Sequence, residues 1–334
     1  MNFFEKKTLF HTNRFFTKIK PVIKKIENEK YETKLHLDKN IDRKGFGGLR
    51  YKGIYKTSLK NKPLISIITP NYKSPYLEKT IISVLKQDYE NLELIIIDAD
   101  SGKDTIKILK KYDNDIDLWV SEKDNGLWDG WNKGLKFANG DYVGILDSTT
   151  SFNIHASKYL IKYIRNYPDL DFIFGTIKKG NKIYTGFRPE DIRFRFNIYP
   201  SCVIGFFLRK NSLKKLGLYN TKYKISADYD LIYRLIVKEK MKGIATKGDE
   251  IFGSFEEVGI SSRYTFFQRL FSELKIRYDN EQNIFIIIFI FFGRCYKQAL
   301  KNILNFKKWI YSNKHFLVVF LYSFDFYRLE NLYS

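Results

Sequence analysis

The stretch from Leu64 to Asp147 opens with Leu64-Ile65-Ser66-Ile67-Ile68-Thr69-Pro70-Asn71-Tyr72 and closes with Tyr142-Val143-Gly144-Ile145-Leu146-Asp147. Between these ends, apolar runs of strand length alternate with segments of helical period, which is the pattern of a parallel α/β sheet. Each run ends in a polar turn, and these turns carry Asp98, Asp124 and Asp147. Ligands of an open parallel sheet bind beyond the carboxyl ends of its strands. The stretch therefore predicts a doubly wound α/β domain with its site at these turns.

The charge of the chain is strongly positive and unevenly distributed. The formal net charge is +21 over 334 residues, and residues 1–62 hold 17 Lys/Arg against six Asp/Glu. A basic surface attracts nucleic acid, anionic lipid headgroups or anionic substrates. No nucleic-acid-binding motif accompanies the charge, so we expect no nucleic-acid partner.

Cysteine use and hydropathy bear on the compartment. Cys202 and Cys295 form neither a disulfide framework nor a metal-ligand spacing, which suits a reducing cytosol. No apolar segment of signal-peptide type follows the basic N-terminus. The longest apolar run, Ile284 to Phe292, is far shorter than the roughly 20 residues that span a bilayer. We expect a cytoplasmic protein, with the inner face of a membrane as an alternative site of action.

Periodicity assigns the elements along the chain. Residues 1–45 are predicted to be a basic helical lead-in, because Phe10, Phe15, Ile19, Val22 and Ile26 follow helical spacing. A breaker-rich linker, Gly45 to Arg50, comes next. Buried strands are predicted at Leu64–Thr69, Leu92–Asp98, Leu118–Ser121 and Asp141–Asp147. The intervening helices are predicted at about Pro75–Gln87, up to Tyr112, after Gly126 and at about His155–Tyr167.

The second half of the chain has a different pattern. Short strands separated by turns are predicted from Asp169 to Arg209, which indicates a partly antiparallel region. A helix at about Ser226–Lys238 follows, and then strands near Gly243–Thr246 and Ile251–Phe255. Beyond Thr265, helical segments and the apolar runs Ile284–Phe292 and Phe316–Phe324 are flanked by basic residues. These helices fit either an anionic membrane surface or packing on the catalytic domain or a second subunit.

The helix at about 226–238 holds the best catalytic candidate. Leu231, Ile232 and Leu235 form its apolar face, and Asp228 lies three and four residues before the first two, on the same face. A carboxylate directed into a cleft is a candidate general base. Asp230 points elsewhere, and an i,i+4 pair with Arg234 is enough to explain it. A similar solvent-side pair is predicted for Asp129 and Lys133.

Several motifs, spread over about residues 46–265, resemble those of one known family. They are Gly47-Gly48-Leu49-Arg50, Lys62 to Pro70, Ser83 to Glu93, Ser121-Glu122-Lys123-Asp124-Asn125-Gly126, Asp129 to Gly134, Ser226-Ala227-Asp228-Tyr229-Asp230 and Gly259-Ile260-Ser261-Ser262. With these motifs the chain resembles bacterial family 2 glycosyltransferases of the GT-A fold, in the branch of capsule, colanic-acid and O-antigen biosynthesis.

The resemblance implies inverting transfer of a sugar from a nucleotide-sugar, with UDP favoured, to a saccharide or lipid-linked saccharide acceptor. Carried over by position, Tyr72 lies against the nucleotide base and Pro70 shapes that turn. Asp98 hydrogen-bonds the base, and Asp124 lies beside the nucleotide. Asp147 stands in the acidic motif that faces the ribose and a divalent metal, Mg²⁺ or Mn²⁺. Asp228 is the catalytic base, in agreement with the helical-face argument.

The chain departs from the family where the metal is bound. The usual Asn-Ala-Asp-Asp or Asp-x-Asp motif is here Asp147-Ser148-Thr149-Thr150, and threonine hydroxyls are poor substitutes for an anionic ligand. Three alternatives follow: the diphosphate supplies most of the coordination with Asp147 as the protein anchor, basic residues replace the metal, or catalysis is lost. In addition, Asp100 replaces the second glycine of the usual Gly-Gly-Ser, and Trp131 replaces an arginine.

We expect three segments: a basic helical lead-in and linker (1–60), a GT-A domain with a mostly parallel sheet and a small antiparallel part (61–265), and a basic, apolar helical region (266–334). The expected activity is glycosyl transfer. A pseudoenzyme or scaffold that binds a nucleotide-sugar is the alternative raised by Thr149 and Thr150. A nucleotidyltransferase is disfavoured because no glycine-rich, basic phosphate loop follows the first strand.

Overall fold

A computed structural model describes residues 3–195, 203–255 and 264–312. The chain divides into two compact units, and the boundary falls between Thr265 and Phe266. Three features named above lie outside the described residues: Cys202, the Gly259–Ser262 motif and the Phe316–Phe324 run.

The strands and helices are numbered in chain order. The strands are β1 (Phe3–Lys7), β2 (Asn13–Thr17), β3 (Gly45–Gly47), β4 (Ile65–Asn71), β5 (Leu92–Asp98), β6 (Leu118–Ser121), β7 (Tyr142–Ile145), β8 (Ser151–Phe152), β9 (Phe172–Phe174), β10 (Thr176–Lys179), β11 (Lys182–Tyr184), β12 (Phe206–Arg209), β13 (Gly243–Ala245) and β14 (Ile251–Phe255). The helices are α1 (Leu77–Leu85), α2 (Lys103–Lys111), α3 (Leu127–Phe137), α4 (Ala156–Asn166), α5 (Lys210–Leu216), α6 (Ala227–Tyr233), α7 (Phe266–Asp279) and α8 (Ile284–Ser312).

An eight-stranded sheet in the order β13-β9-β12-β7-β4-β5-β6-β3 organises the first unit. Its central strands β7, β4, β5 and β6 are parallel, and α1, α2 and α3 connect them in sequence. The chain adds β5 and β6 on one side of β4 and then returns to place β7 on the other side. The strand order therefore reverses between β4 and β7, which is the switch point where doubly wound sheets bind ligands.

Antiparallel pairing in this sheet is limited to two strands outside the central four, and the outermost pair, β13 with β9, is parallel. Strand β12 runs antiparallel to both β7 and β9, and β3 runs antiparallel to β6. A smaller four-stranded sheet has the order β11-β10-β14-β8. This arrangement confirms the predicted doubly wound, mostly parallel sheet with a small antiparallel part.

The central strands form the core, since every residue of β4 and β5 is buried. Strands β5, β6 and β14 have the predicted bounds, and β5 and β6 are apolar runs that end at a polar turn. The helix that carries Asp228 also forms as predicted, although its last turn, Arg234–Lys238, is a π-helix.

The helical lead-in predicted for residues 1–45 is wrong, because β1 and β2 form an antiparallel hairpin there. Arg14 in β2 is 3% exposed, and its guanidinium donates to the carbonyl oxygens of Val84 and Leu85, each at 3.2 Å. Ile19 and Val22, which define part of the helical spacing, are 55% and 86% exposed. Tertiary contacts of a Phe- and Thr-rich strand outweigh a weak helical periodicity.

The Gly47-Gly48-Leu49-Arg50 motif closes one edge of the main sheet. Gly48 has φ 101°, and a Cβ there would lie 2.8 Å from the Ile116 and Asp117 carbonyl oxygens, so a side chain does not fit. Arg50, which is 3% exposed, donates to Glu93 Oε1 at 2.5 Å and to the Phe137 carbonyl oxygen at 2.9 Å. The motif therefore joins the end of α3 to the start of β5, at the opposite end of that strand from Asp98.

The second unit consists of α7 and α8 in the part of the chain that the structure describes. Phe271 of α7 stacks on Phe291 of α8, with ring centroids 6.0 Å apart. Within residues 3–195, 203–255 and 264–312, every helix is too short or too polar to cross a bilayer.

Candidate functional site

The carboxyl ends of β4, β5 and β6 lie side by side, with Asn71 opposite Asp98 and Asp98 opposite Ser121. Asp98 is fully buried and accepts three hydrogen bonds. Asn71 Nδ2 donates to Oδ1 at 2.7 Å, and Ser121 Oγ and the Ser101 backbone N–H donate to Oδ2 at 2.6 and 3.1 Å. We call these four residues the Asp98 network. The network fixes the turns after three strands relative to one another.

Asp147 follows β7, across the switch point from the Asp98 network. The turn that it begins is closed by Thr150, whose backbone N–H and Oγ1 both donate to the Asp147 carbonyl oxygen, at 2.9 and 2.7 Å. Thr80 Oγ1 and Ser74 Oγ donate to carbonyl oxygens of the same turn at 2.6 and 2.7 Å. The backbone of this turn is therefore held firmly. The Asp147 carboxylate, by contrast, accepts no hydrogen bond from any residue that the structure describes.

Asp228 lies in the first turn of α6, and its charge reaches Asp147. Burial, and then the negative charge of Asp228, raise the pKa of Asp147 to about 7. Burial also raises the pKa of Asp228 to about 6, against the Tyr229 backbone N–H, which donates to Asp228 Oδ1 at 2.9 Å. We call Asp147 and Asp228 the acid pair. The structure thus brings together two residues that lie 81 positions apart in the chain.

The same helix supplies an internal comparison for Asp228. Asp230 is 2% exposed and accepts from Arg234 Nε at 2.9 Å, which confirms the predicted i,i+4 pair. Arg234 also donates to the carbonyl oxygens of Leu216 and Leu218. Asp230 is therefore explained by structure, whereas Asp228 has no cationic partner among the described residues.

An aromatic group on α3 supports the segment that leads into α6. Trp128 stacks on Tyr219 at 5.5 Å between ring centroids, and Trp131 meets Tyr219 edge-on at 5.2 Å. Asn132 binds the Tyr219 backbone twice, by donating to its carbonyl oxygen at 2.8 Å and accepting from its N–H at 2.9 Å. Trp128 Nε1 donates to the Lys224 carbonyl oxygen at 3.1 Å. Helix α3 therefore positions residues 219–224, immediately before Asp228.

Tyr219 is a site residue that the sequence analysis missed. Burial raises its pKa, and the charges of Asp228 and Asp147 raise it further, which places its hydroxyl near the acid pair. Its only signal in the sequence is an aromatic residue nine positions before Asp228. That spacing has no meaning until the loop between α5 and α6 folds onto α3. Trp128, Trp131 and Leu135 of α3 are all buried.

Asp124 lies in the turn between β6 and α3. Its Oδ1 accepts from the Gly126 N–H at 2.9 Å, and burial raises its pKa, with smaller contributions from the charges of Asp129 and Asp98. Gly130 faces it so closely that an added Cβ would lie 2.9 Å from Asp124 Oδ2. Asp124 is therefore close enough to the Asp98 network for the charge of Asp98 to raise its pKa, and Gly130 borders its Oδ2.

The predicted pair of Asp129 with Lys133 is wrong. Lys133 Nζ pairs with Glu122 at 2.7 Å, and Asp129 Oδ2 accepts from the Asn125 backbone N–H at 3.0 Å. Glu122 is buried, which reduces the screening of its charge by water, and it binds Lys133 even though it also accepts from Arg43 Nε at 2.8 Å.

Pro70 and Tyr72 flank Asn71 at the end of β4. Pro70 is buried in the strand, whereas the Tyr72 side chain is 64% exposed. Lys73 Nζ lies 5.1 Å from the centre of the Tyr72 ring. An exposed ring beside the Asp98 network offers a flat surface on which a planar group can stack.

The acid pair fits a divalent cation only in part. The described residues contain no group of three or more His, Cys, Asp or Glu side chains that could hold a metal. The Thr150 hydroxyl is engaged with the Asp147 carbonyl oxygen, and Thr149 is exposed. Yet Asp147 is an oxygen ligand that accepts no hydrogen bond within the part of the chain that the structure describes, and it lies beside a second negative charge, which a cation would relieve. The residues fit an ion whose remaining ligands come from a bound anion and water.

Comparison with known sequences identifies one family. The sequence profile described as glycosyl transferase family 2 matches residues 66–237, which is just over half of the chain. An uncharacterized glycosyltransferase of Haemophilus influenzae is 41% identical over 217 residues, or 60% of this chain and 83% of that protein. The UDP-Glc:alpha-D-GlcNAc-diphosphoundecaprenol beta-1,3-glucosyltransferase WfgD of Escherichia coli is 32% identical over 147 residues, or 42% of this chain and 57% of WfgD.

Solved structures support the same fold. TarS of S. aureus matches with a TM-score of 0.53 and 17% identity, over 72% of this chain and 73% of the TarS chain. The mannosyltransferase PcManGT of Pyrobaculum calidifontis, in complex with GDP-Man and Mn²⁺, matches with a TM-score of 0.50 and 17% identity, over 66% of this chain and 65% of the PcManGT chain. At this level of identity the likeness concerns the fold alone, which is the GT-A arrangement.

Proposed function

The chain belongs to glycosyl transferase family 2, and from that premise we propose that it transfers a sugar from a nucleotide-sugar to an acceptor hydroxyl with inversion at the anomeric carbon. One observation carries the proposal. Asp228 has a pKa of about 6 and no cationic partner among the described residues, and it lies beside the strand-end turn that holds Asp147. A carboxylate with this pKa is ionised near neutral pH and still basic enough to accept a proton.

In the proposed reaction, the acceptor oxygen attacks the anomeric carbon from the face opposite the leaving group. As the new carbon–oxygen bond forms, the acceptor proton passes to the Asp228 carboxylate. The bond between the anomeric carbon and the diphosphate oxygen breaks, and the nucleoside diphosphate leaves with that electron pair. The configuration of the anomeric carbon is inverted because the reaction is a single displacement. Tyr219 and the α3 contacts hold the Asp228 region while this happens.

We assign the donor to the opposite side of the switch point. The exposed Tyr72 ring offers a stacking surface for the nucleotide base, and the Asp98 network with Asp124 shapes the rest of that side. Asp147 would hold a divalent cation, Mg²⁺ or Mn²⁺, together with the donor diphosphate, and the bound ion would balance the charge of the leaving group.

We propose a UDP-sugar donor and a lipid-linked saccharide acceptor, in the synthesis of a surface polysaccharide. The support is the activity for which WfgD is named, transfer from UDP-Glc to a diphosphoundecaprenol-linked sugar, and the structure of TarS with UDP-GlcNAc. A GDP-sugar is the alternative, since the GDP-Man complex of PcManGT has the same fold. An acceptor of this kind places the enzyme at the cytoplasmic face of a membrane.

The test is release of nucleoside diphosphate from a panel of UDP-, GDP- and dTDP-sugars, with Mg²⁺, with Mn²⁺ and with chelator. Metal-dependent release from one donor supports the proposal and identifies the nucleotide. Release that persists with chelator would remove the metal from the account. Binding of a donor without turnover, even with lipid-linked acceptors present, would favour the pseudoenzyme alternative suggested by Thr149 and Thr150.

A further inference from the structure

Helix α8 presents a long apolar stripe to solvent. Its large apolar side chains between 42% and 77% exposed are Phe285, Ile288, Phe289, Phe292, Tyr296, Leu300, Ile303 and Leu304, together with Ile284. At about 100° per residue, the seven from Phe285 to Ile303 lie within roughly 60° of the Phe285 direction. From Phe285 to Ile303 the stripe is about 27 Å long. We call these seven residues the α8 stripe.

The charge of α8 is entirely positive. The helix contains five Lys/Arg and no Asp/Glu over its 29 residues. Lys297 and Lys301 are exposed and lie roughly 120° and 160° around the helix from Phe285. Arg294, on the side opposite the stripe, pairs with Glu273 of α7 at 3.6 Å. An apolar face on one side and a lysine-bearing polar face on the other is the pattern of a helix that lies in the plane of a membrane interface.

We infer that the α8 stripe docks the protein onto an anionic lipid bilayer. Charge decides between this occupant and a second copy of the chain. Two copies that paired through their stripes would gain no ion pair between the two α8 helices, because α8 contains five Lys/Arg and no acidic residue. A bilayer that contains anionic lipid instead attracts each lysine near its surface. Aromatic side chains such as Phe289 and Tyr296 suit the boundary between headgroups and acyl chains.

The inference deepens the proposed function, because a lipid-linked acceptor is reached from a membrane surface. It rests on the proposed function for the biological reason to bind a membrane, and not for the binding itself. Vesicle binding itself needs no donor or acceptor. It is therefore measured separately from the release of nucleoside diphosphate, so that either idea can fail alone.

The experiment is co-sedimentation of the full chain with large unilamellar vesicles of phosphatidylcholine, with and without about 30 mol% phosphatidylglycerol. The test variant is Phe289→Asp with Phe292→Asp, and the matched control is Ile41→Asp, at a residue that is 98% exposed in the first unit. We expect the wild type and the control to bind phosphatidylglycerol vesicles at least about tenfold better than phosphatidylcholine alone, and the test variant to lose at least about tenfold in binding.

A second variant tests the charge separately. Lys297→Glu with Lys301→Glu leaves the stripe intact and should reduce binding to phosphatidylglycerol vesicles while binding to phosphatidylcholine is unchanged. Circular dichroism establishes that each variant is folded, and nucleotide release by each should equal that of the wild type. Equal vesicle binding by the wild type and the Phe289/Phe292 variant overturns the inference. So does a dimer in sedimentation equilibrium that the Phe289/Phe292 variant abolishes, if the wild type does not bind vesicles.

Discussion

The acid pair and the Asp98 network contain the same side chain in opposite circumstances. Asp98 accepts three hydrogen bonds, one of them from a backbone N–H, and is completely buried. Asp147 accepts none among the described residues and lies near a second carboxylate that raises its pKa to about 7. A buried carboxylate that accepts several hydrogen bonds from the protein stabilises the fold. One that is left unsatisfied is available to a proton, a cation or a substrate.

The largest effect is expected from Asp228→Asn. The amide cannot accept the acceptor's proton, so kcat should fall by about 10²- to 10⁴-fold. Donor affinity, measured by calorimetry, should stay within about twofold because the nucleotide contacts assigned to Tyr72 and the Asp98 network are unchanged.

Asp230→Asn is the matched control for that substitution, in the same turn of the same helix. It breaks a buried pair with Arg234 and should lower the free energy of unfolding by about 1–3 kcal/mol, yet leave kcat within a fewfold. If the two variants lose kcat equally, Asp228 is a structural residue and the contrast between them disappears.

The pH dependence of turnover should reflect the acid pair. Since burial raises the pKa of Asp228 to about 6, the fraction of ionised base falls as the pH drops below that value. We expect kcat/KM to fall about tenfold per pH unit below about pH 6 and to level off by about pH 8. A profile of kcat/KM that is flat between about pH 5 and 8 would contradict the assignment of Asp228 as base.

The same Asp→Asn change should alter stability in opposite directions on the two sides of the switch point. Asp98→Asn removes an acceptor oxygen from a buried network and should lower the free energy of unfolding by about 1–3 kcal/mol at pH 8. Asp147→Asn removes a desolvated charge and should raise it, on the order of 1–2 kcal/mol, while turnover falls.

The way in which the stability gained by Asp147→Asn depends on pH provides an internal control for this prediction. The pKa of Asp147 is higher in the folded chain than its usual 3.8, so ionisation of Asp147 costs stability as the pH rises from about 4 through about 7. The advantage of Asp147→Asn should therefore be greatest above pH 7 and vanish near pH 4. Denaturant unfolding at both pH values measures it. An advantage that persists unchanged at pH 4 would show that the effect is not electrostatic.

The parts of the fold that could be predicted are those whose signal is local. Strand β5 has the predicted bounds because seven consecutive residues are apolar or buried and the run ends at Asp98. Helix α6 places Asp228 on the predicted face for the same reason, since four-residue spacing is a property of the helix itself. The lead-in failed because Arg14 is stabilised by carbonyl groups about 70 positions away, which no local pattern records.

Individual residues of the site could be predicted from the sequence, but the hydrogen bonds and contacts between them could not. The motifs indicate Asp98, Asp147 and Asp228, whereas the difference in their hydrogen bonding depends on which turns meet at the sheet edge. Tyr219 and Asn132 were missed because their roles arise from one contact between α3 and a loop 87 residues later. The Gly48 and Arg50 motif was quoted without a mechanism, and the structure supplies one in the buried pair with Glu93.

The smallest effect is expected from Gly130→Ala, which tests Asp124. This carboxylate accepts one hydrogen bond from the described residues and so is intermediate between Asp98 and Asp147. Alanine should stabilise the interior of α3 by up to about 1 kcal/mol relative to glycine. The new Cβ would start 2.9 Å from Asp124 Oδ2, and because a carboxylate can rotate away cheaply, the cost falls on the position of Asp124 rather than on the fold. We expect the donor KM to rise about fivefold, equivalent to one weakened hydrogen bond, with kcat unchanged. Gly134→Ala is the contrasting variant, since its Cβ would lie 2.3 Å from Ile68 Cγ2 in the packed core and should cost stability instead. An unchanged donor KM in Gly130→Ala would remove Asp124 from the donor side and leave Asp98 and Tyr72 to define it.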